Sequence, residues 1–95
     1  MPSFLVRVEM HGATETEYNI FHLEMERIGF IRHLEGDDGV LYRLPTATYV
    51  ASSNGTTITV RDQVRIVASR INANPWVIVC DFIDAAWNLP PAPWP

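Results

Sequence analysis

The sequence predicts an α+β fold, with four strands and two helices in the order β-α-β-β-α-β. Two patterns lead to this prediction. Apolar residues recur at every second position in the strand-like segments and at every third or fourth position in the helical ones. Both helical segments also begin with the residue spacing of a capping box. The chain has 95 residues, 47% of them hydrophobic, which is enough for one domain with a core of its own.

The first segment, Phe4–His11, alternates apolar and polar residues and predicts a half-buried strand. The residues expected to face the core are Phe4, Val6, Val8 and Met10.

A helix is predicted from Glu15 to Gly29. Thr14 and Glu17 have the spacing of a capping box, and Gly29 can adopt the left-handed conformation that ends a helix. The expected apolar stripe consists of Tyr18, Phe21, Met25 and Ile28. The opposite side carries Ile20, Leu23 and Arg27, so we expect an unusually apolar exposed face there.

The next two segments predict a β-hairpin. Phe30–Glu35 and Val40–Val50 are strand-like, and Gly36–Gly39 between them has the composition of a turn. Pro45 has no amide proton, so the second strand of the hairpin is expected to bend at that position.

A polar loop, residues 51–56, leads into a second predicted helix. Thr59 and Asp62 form the expected capping box, and the helix continues to about Asn72. Its apolar stripe is Val60, Val64, Val67 and Ile71. The alternative is a second hairpin closed by Asn54 and Gly55, with residues 49–51 paired to 57–59.

Trp76–Phe82 is apolar on both sides, which predicts an interior strand with Cys80 buried as a structural thiol. The resulting order fits a ferredoxin-like sandwich over residues 1–84, with two helices on one face of a four-stranded antiparallel sheet. Residues 85–95 form a tail rich in proline and tryptophan. This tail is expected either to be an extended arm or to dock as a strap through Trp87 and Trp94.

Composition limits the classes of function. The net charge of −4 argues against a general nucleic-acid binder, and no DNA target is implied. All seven cationic side chains are arginines, whose planar guanidinium groups suit phosphate or carboxylate. The net charge is therefore compatible with a local basic patch. The single cysteine fits a reducing cytoplasm. The sequence predicts no secretory leader and no membrane span.

The residues with candidate chemistry fit metal-independent RNA cleavage, which needs a base, an acid and a cation for the phosphate. His11 and His33 are the candidates for proton transfer. Arg7, Arg32 and Arg43 are the candidate phosphate ligands, and Tyr42 and Tyr49 are candidates for base stacking. The alternative is that these residues form the ordinary solvent face of a sheet. Neither a metal site nor a cofactor is predicted, because Asp37 and Asp38 belong to a turn and there is no phosphate loop.

Several phrases of the sequence resemble the family of GhoS-type endoribonucleases, antitoxins that cut the messenger RNA of their toxin. The phrases are Phe4-Leu-Val-Arg-Val, Phe21-His-Leu-Glu-Met25 with Gly29-Phe30, and Tyr42-Arg-Leu-Pro45. The resemblance covers most of residues 1–82. It implies a ferredoxin-like fold, similar to small CRISPR-associated nucleases that work as dimers. It also implies messenger RNA as substrate and a role in cutting for an arginine on the first helix, which here is Arg27.

A second hypothesis is a non-enzymatic ferredoxin-like homodimer that binds a protein or a small molecule. The acidic net charge, the lack of a catalytic motif and the tryptophan-bearing tail motivate it. The open face of the sheet would distinguish the two hypotheses. A contiguous arginine patch there would favour RNA, whereas an apolar face would favour association.

Overall fold

The computed structural model describes residues 1–92, so the tail residues Pro93, Trp94 and Pro95 lie outside the described part. The fold is α+β, with two helices and antiparallel sheets, as predicted. The elements are β1 (Ser3–Glu9), α1 (Glu15–Arg27), β2 (His33–Glu35), β3 (Leu41–Arg43), β4 (Thr48–Ser52), α2 (Thr57–Ser69) and β5 (Trp76–Phe82).

The strands form two sheets where the sequence predicted a single sheet of four strands. β1 is the central strand of a three-stranded sheet with the order β4-β1-β5, and it runs antiparallel to both neighbours. β2 and β3 form a separate two-stranded hairpin. Between the two sheets, Ile31 forms an isolated antiparallel bridge with Val50 of β4. Its backbone N–H and C=O are both hydrogen-bonded there, at 3.0 and 2.9 Å.

The predicted strand Val40–Val50 is interrupted, which accounts for part of this difference. Pro45 cannot donate to a neighbouring strand, and the amide of Thr48 turns back to the carbonyl oxygen of Pro45 at 3.1 Å. Ala47 adopts a left-handed conformation with φ 57° within this turn. The predicted strand Phe30–Glu35 is likewise interrupted, because the chain bends at Arg32. The β2–β3 hairpin therefore forms a sheet of its own, joined to β4 by the Ile31 bridge.

Both helices share one core with one face of β1. Phe4, Val6 and Val8 alternate along β1 and are at most 1% exposed. The predicted stripes supply the rest of this core, namely Phe21 and Met25 from α1 with Val60, Val64 and Val67 from α2. Complete burial of each such side chain contributes about 1.5–3 kcal/mol, so this shared layer holds the helices on the same side of the sheet.

The helix ends confirm one predicted cap and correct the other. Thr14 and Glu17 form the predicted capping box of α1, and Gly29 takes the left-handed conformation after it with φ 90°. In α2 the N-cap is Thr56, and Thr59 is the third residue of its box, so the predicted box of Thr59 and Asp62 is wrong. The Thr59 hydroxyl accepts from the Thr56 amide at 2.8 Å, which starts the helix three residues earlier. The alternative second hairpin is excluded, because its second strand lies in this helix.

β5 is an edge strand, so the predicted interior position is wrong. Within the described residues it pairs only with β1. Val77 and Val79 pack against the core, while the residues that alternate with them stand on the face that no helix covers. The prediction that Cys80 is buried is wrong for the same reason, since its side chain is exposed on that face.

The tail docks as a strap along β3. The ring of Trp87 lies 5.8 Å from the ring of Tyr42. The amide of Arg43 donates to the carbonyl oxygen of Pro90 at 3.0 Å, and the amide of Ala92 donates to Leu41 at 2.8 Å. Of the two alternatives for the tail, the docked strap describes the chain up to Ala92. Neither helix within residues 1–92 has the length and apolar character needed to cross a bilayer.

Candidate functional site

A groove of about 400 Å³ lies where the β2–β3 hairpin meets the main sheet. We call it the hairpin groove. Several of its residues alternate along their strands with core residues, and so face away from the helices. The lining residues are Ser3, Gly29, Ile31, His33, Leu34, Glu35, Leu41, Val50, Ala51, Ser52 and Phe82.

Two reactive side chains line this groove, and a third belongs to the strand paired with them. His33 and Glu35 both line it and stand two positions apart on β2, so they share one face of the strand. Arg43 is the direct antiparallel partner of His33 on β3. Directly opposed residues have their Cβ atoms about 4.5–5.5 Å apart on the same face. The hairpin thus brings together an imidazole, a carboxylate and a guanidinium.

Glu35 is the member of this group that the sequence reasoning missed. The segment His33-Leu34-Glu35 carried the signal, because period-two alternation predicts that its outer residues face the same way. The pairing of His33 with Arg43 and of Glu35 with Leu41 could not be predicted from the sequence. That register is fixed by the turn, where the Asp38 carboxylate accepts from the amide of Val40 at 3.0 Å.

The remaining predicted site residues lie outside the hairpin groove. Arg7 stands exposed on the open face of β1, with Ile78 as its cross-strand neighbour. The His11 ring contacts the Trp76 ring edge-on at 4.3 Å, at the far end of β1. Arg27 is on the surface of α1, where it pairs with Glu24 at 3.2 Å. No described contact joins these three residues to His33.

The charge of Arg32 acts on His22 and Tyr49, a pair in the core beneath α1. Burial is the main cause that lowers the pKa of His22, and Arg32 adds to it; burial also raises the pKa of Tyr49, which Arg32 only partly opposes. Tyr42 alternates with Arg43 along β3 and therefore faces the other way. The Tyr42 hydroxyl donates to the Asp38 carboxylate at 2.6 Å. This bond lowers the pKa of Asp38 and raises the pKa of Tyr42.

His22 and Tyr49 form a buried polar pair. The Nδ1 atom of His22 and the Tyr49 hydroxyl are hydrogen-bonded at 2.6 Å. Burial, with a smaller contribution from the Arg32 charge, lowers the pKa of His22 to about 4, and burial raises the pKa of Tyr49. The exposed fractions of the two residues are 7% and 0%, so a substrate has no access to them. We therefore assign this pair to the stability of the core.

The open face of the main sheet, on the side away from the helices, is largely apolar. We define the open face by Leu5, Arg7 and Glu9 of β1 and by Trp76, Ile78 and Cys80 of β5. Trp76 and Ile78 are 66% and 61% exposed. Arg7 is the only arginine among these residues, and Glu9 on the same strand balances its charge. The open face therefore lacks a contiguous arginine patch.

Within residues 1–92, no three His, Cys, Asp or Glu side chains gather closely enough to hold a metal ion. No model of a protein family matches the chain, and no curated protein matches it at a significant level.

Proposed function

We propose that this protein is a GhoS-like, antitoxin-type protein that binds messenger RNA and cleaves it in the hairpin groove. The observation that carries the proposal is that His33 and Glu35 line the hairpin groove and that Arg43 is the cross-strand partner of His33. At about 400 Å³ the groove falls within the usual size range of small-ligand sites, which suits a nucleotide. Phe82 lines the groove and offers a ring for contact with a base.

The proposal includes a ferredoxin-like fold in which one edge strand is reduced to the bridge of Ile31 with Val50. It is supported by the order of the paired segments, which runs from Ile31 through β4 and β1 to β5. That order agrees with a split βαβ arrangement in which α1 and α2 each connect two strands that are not neighbours. The lone cysteine fits a reducing cytoplasm as the site of action.

The proposed reaction uses each of the three groups once. The Glu35 carboxylate accepts the proton of the ribose 2′-hydroxyl as its oxygen attacks the adjacent phosphorus. The imidazolium of His33 donates a proton to the 5′-oxygen as the bond between phosphorus and that oxygen breaks. Arg43 pairs with the phosphate oxygens on which charge develops. The products are a 2′,3′-cyclic phosphate and a free 5′-hydroxyl.

Purified full-length protein incubated with AU-rich messenger RNA tests this proposal. We expect cleavage, and we expect His33→Gln and Arg43→Ala to slow it about 100-fold or more, the usual effect of removing a proton-transfer or charge-stabilising group. His11→Gln is the matched control, because His11 lies outside the groove and its loss should leave the rate unchanged. Circular dichroism establishes that each variant is folded.

The outcomes separate the hairpin groove from the helix site implied by the family resemblance. If Arg27→Ala abolishes cleavage while His33→Gln retains it, the site lies on α1 and not in the groove. If the RNA stays intact with the unmodified protein, the chain has no such ribonuclease activity.

A second candidate function is a homodimeric binding module without enzymatic activity. The apolar open face favours it, because exposed residues such as Trp76 and Ile78 are typical of association surfaces. Light scattering of the full chain, and of a chain ending at Asp84, tests it. We expect dimers for the full chain. A monomeric mass for both proteins at micromolar concentration would contradict it.

A further inference from the structure

The two outer strands of this fold, β3 and β5, differ in how their free edges are covered. The tail strap runs along β3, and its residues Pro90 and Pro91 have no amide proton to offer to a further strand. Proline and coverage by another segment are common ways to protect an edge from unwanted pairing.

β5 has no comparable protection within the described residues. It is seven residues long, contains no proline or lysine, and pairs with β1 on one side only. Its single charge is Asp81. A long, apolar and uncovered strand is a template for pairing with another chain.

We propose that β5 is the self-association surface of this protein, and that two copies pair antiparallel along it across a two-fold axis at Val79. This inference deepens the second candidate function, since it says where the two copies meet. It does not depend on ribonuclease activity.

The sequence of β5 is self-complementary in that register. With Val79 opposite its own symmetry mate, Ile78 stands opposite Cys80, and Trp76 stands opposite Phe82. All four side chains alternate with Val77 and Val79 and so lie on the open face. Each exposed apolar residue of β5 thereby gains an apolar cross-strand neighbour.

The charges are compatible with this pairing. Asp81 lies opposite Val77 in the proposed register, four positions along the strand from its own symmetry mate. At about 3.3 Å per residue, the two carboxylates are more than about 13 Å apart. No like charges of β5 therefore face each other, so charge repulsion does not oppose the pairing of two copies.

Pairing would also join the two main sheets into one continuous sheet of six strands. The open faces of both copies would then form a single surface. Phe82 of β5, which also lines the hairpin groove, would stand opposite Trp76 of the second copy.

Multi-angle light scattering tests the surface with one variant and a matched control. Ile78→Lys places a charge on the open face of β5 and should raise the dimer dissociation constant at least tenfold. Ile66→Lys is the control, because Ile66 on α2 is 57% exposed against 61% for Ile78. We expect this control to leave the dissociation constant unchanged.

Mild oxidation tests the register. Ile78→Cys should form disulfide-linked dimers on a non-reducing gel, because position 78 lies opposite Cys80 of the second copy. The unmodified chain should remain mostly unlinked, since its two Cys80 residues are displaced by two positions along the strands. The double variant Ile78→Cys with Cys80→Ser should lose the cross-link.

The results separate this inference from the broader proposal of a dimer. Dimers that survive Ile78→Lys and resist cross-linking in Ile78→Cys would overturn the β5 surface while leaving association itself intact. A monomeric full chain would overturn both.

Discussion

At the scale of single residues, the pair of His22 and Tyr49 is the clearest case of burial deciding chemistry. Imidazole and phenol are polar, yet each is almost fully buried, and the 2.6 Å hydrogen bond between them satisfies both. An unpaired polar group at such a site costs about 1–3 kcal/mol. The pair therefore favours one arrangement of α1 against β4, while burial lowers the pKa of His22 and keeps its ring neutral at physiological pH.

The stability of the protein should fall in mild acid because of His22. Its pKa is about 4 in the folded protein and 6.5 when exposed. Between these values the unfolded chain binds more protons, so stability is lost as the pH falls from about 6.5 to 4, by about 3 kcal/mol from this residue. Urea unfolding at pH 7.5 and pH 4.5 measures the loss.

The control for this prediction replaces both partners. His22→Leu with Tyr49→Phe exchanges the pair for apolar groups and should remove about 2.5 kcal/mol of the difference between the two pH values. Tyr49→Phe alone should destabilise the protein at pH 7.5 by about 1–3 kcal/mol, because the imidazole loses its partner. An unchanged difference in the double variant would assign the acid sensitivity to other groups.

At the scale of elements, the spacing of apolar residues predicted the strands and helices whose burial depends on one face. The alternation of β1 and the stripe of α1 were readable because burial on one face imposes a period. The edge position of β5 could not be predicted from the sequence. An apolar strand in the interior of a sheet and an apolar strand at its edge can have the same composition. Likewise, His33 and Arg43 were both candidates, but their meeting depends on the hairpin register.

The corrected start of α2 gives a prediction at this scale. Thr56→Ala removes the hydroxyl that accepts from the Thr59 amide at 3.2 Å. We expect a loss of about 1 kcal/mol in the free energy of unfolding. Asp62→Ala is the control, because Asp62 makes only a surface contact with Arg61 and should change stability by less than about 0.5 kcal/mol. A larger loss of stability for Asp62→Ala than for Thr56→Ala in urea unfolding would instead support a helix capped at Thr59.

At the scale of the whole molecule, the distribution of charge limits how RNA would be held under the proposed function. The net charge is −4, and the arginines considered for phosphate binding are dispersed. Arg43 lies at the hairpin, Arg7 on the open face and Arg27 on α1, where it pairs with Glu24. A path from the hairpin across the open face would therefore offer about two cations, Arg43 and Arg7, to the phosphate backbone. General nucleic-acid binders use many more, and their affinity is correspondingly sensitive to salt.

We therefore expect RNA affinity to depend weakly on salt. The slope for single strands is about −0.7 per neutralised phosphate, so two contacts predict about a sevenfold rise in the dissociation constant between 50 and 200 mM salt. Fluorescence anisotropy with a labelled single-stranded RNA measures this dependence, and the His33→Gln variant is used because its cleavage is expected to be slow. Arg43→Ala in that background should reduce the slope by about half. A thousandfold rise in the dissociation constant over this salt range would contradict the prediction. It would mean that RNA binds a basic surface larger than the open face and the hairpin provide.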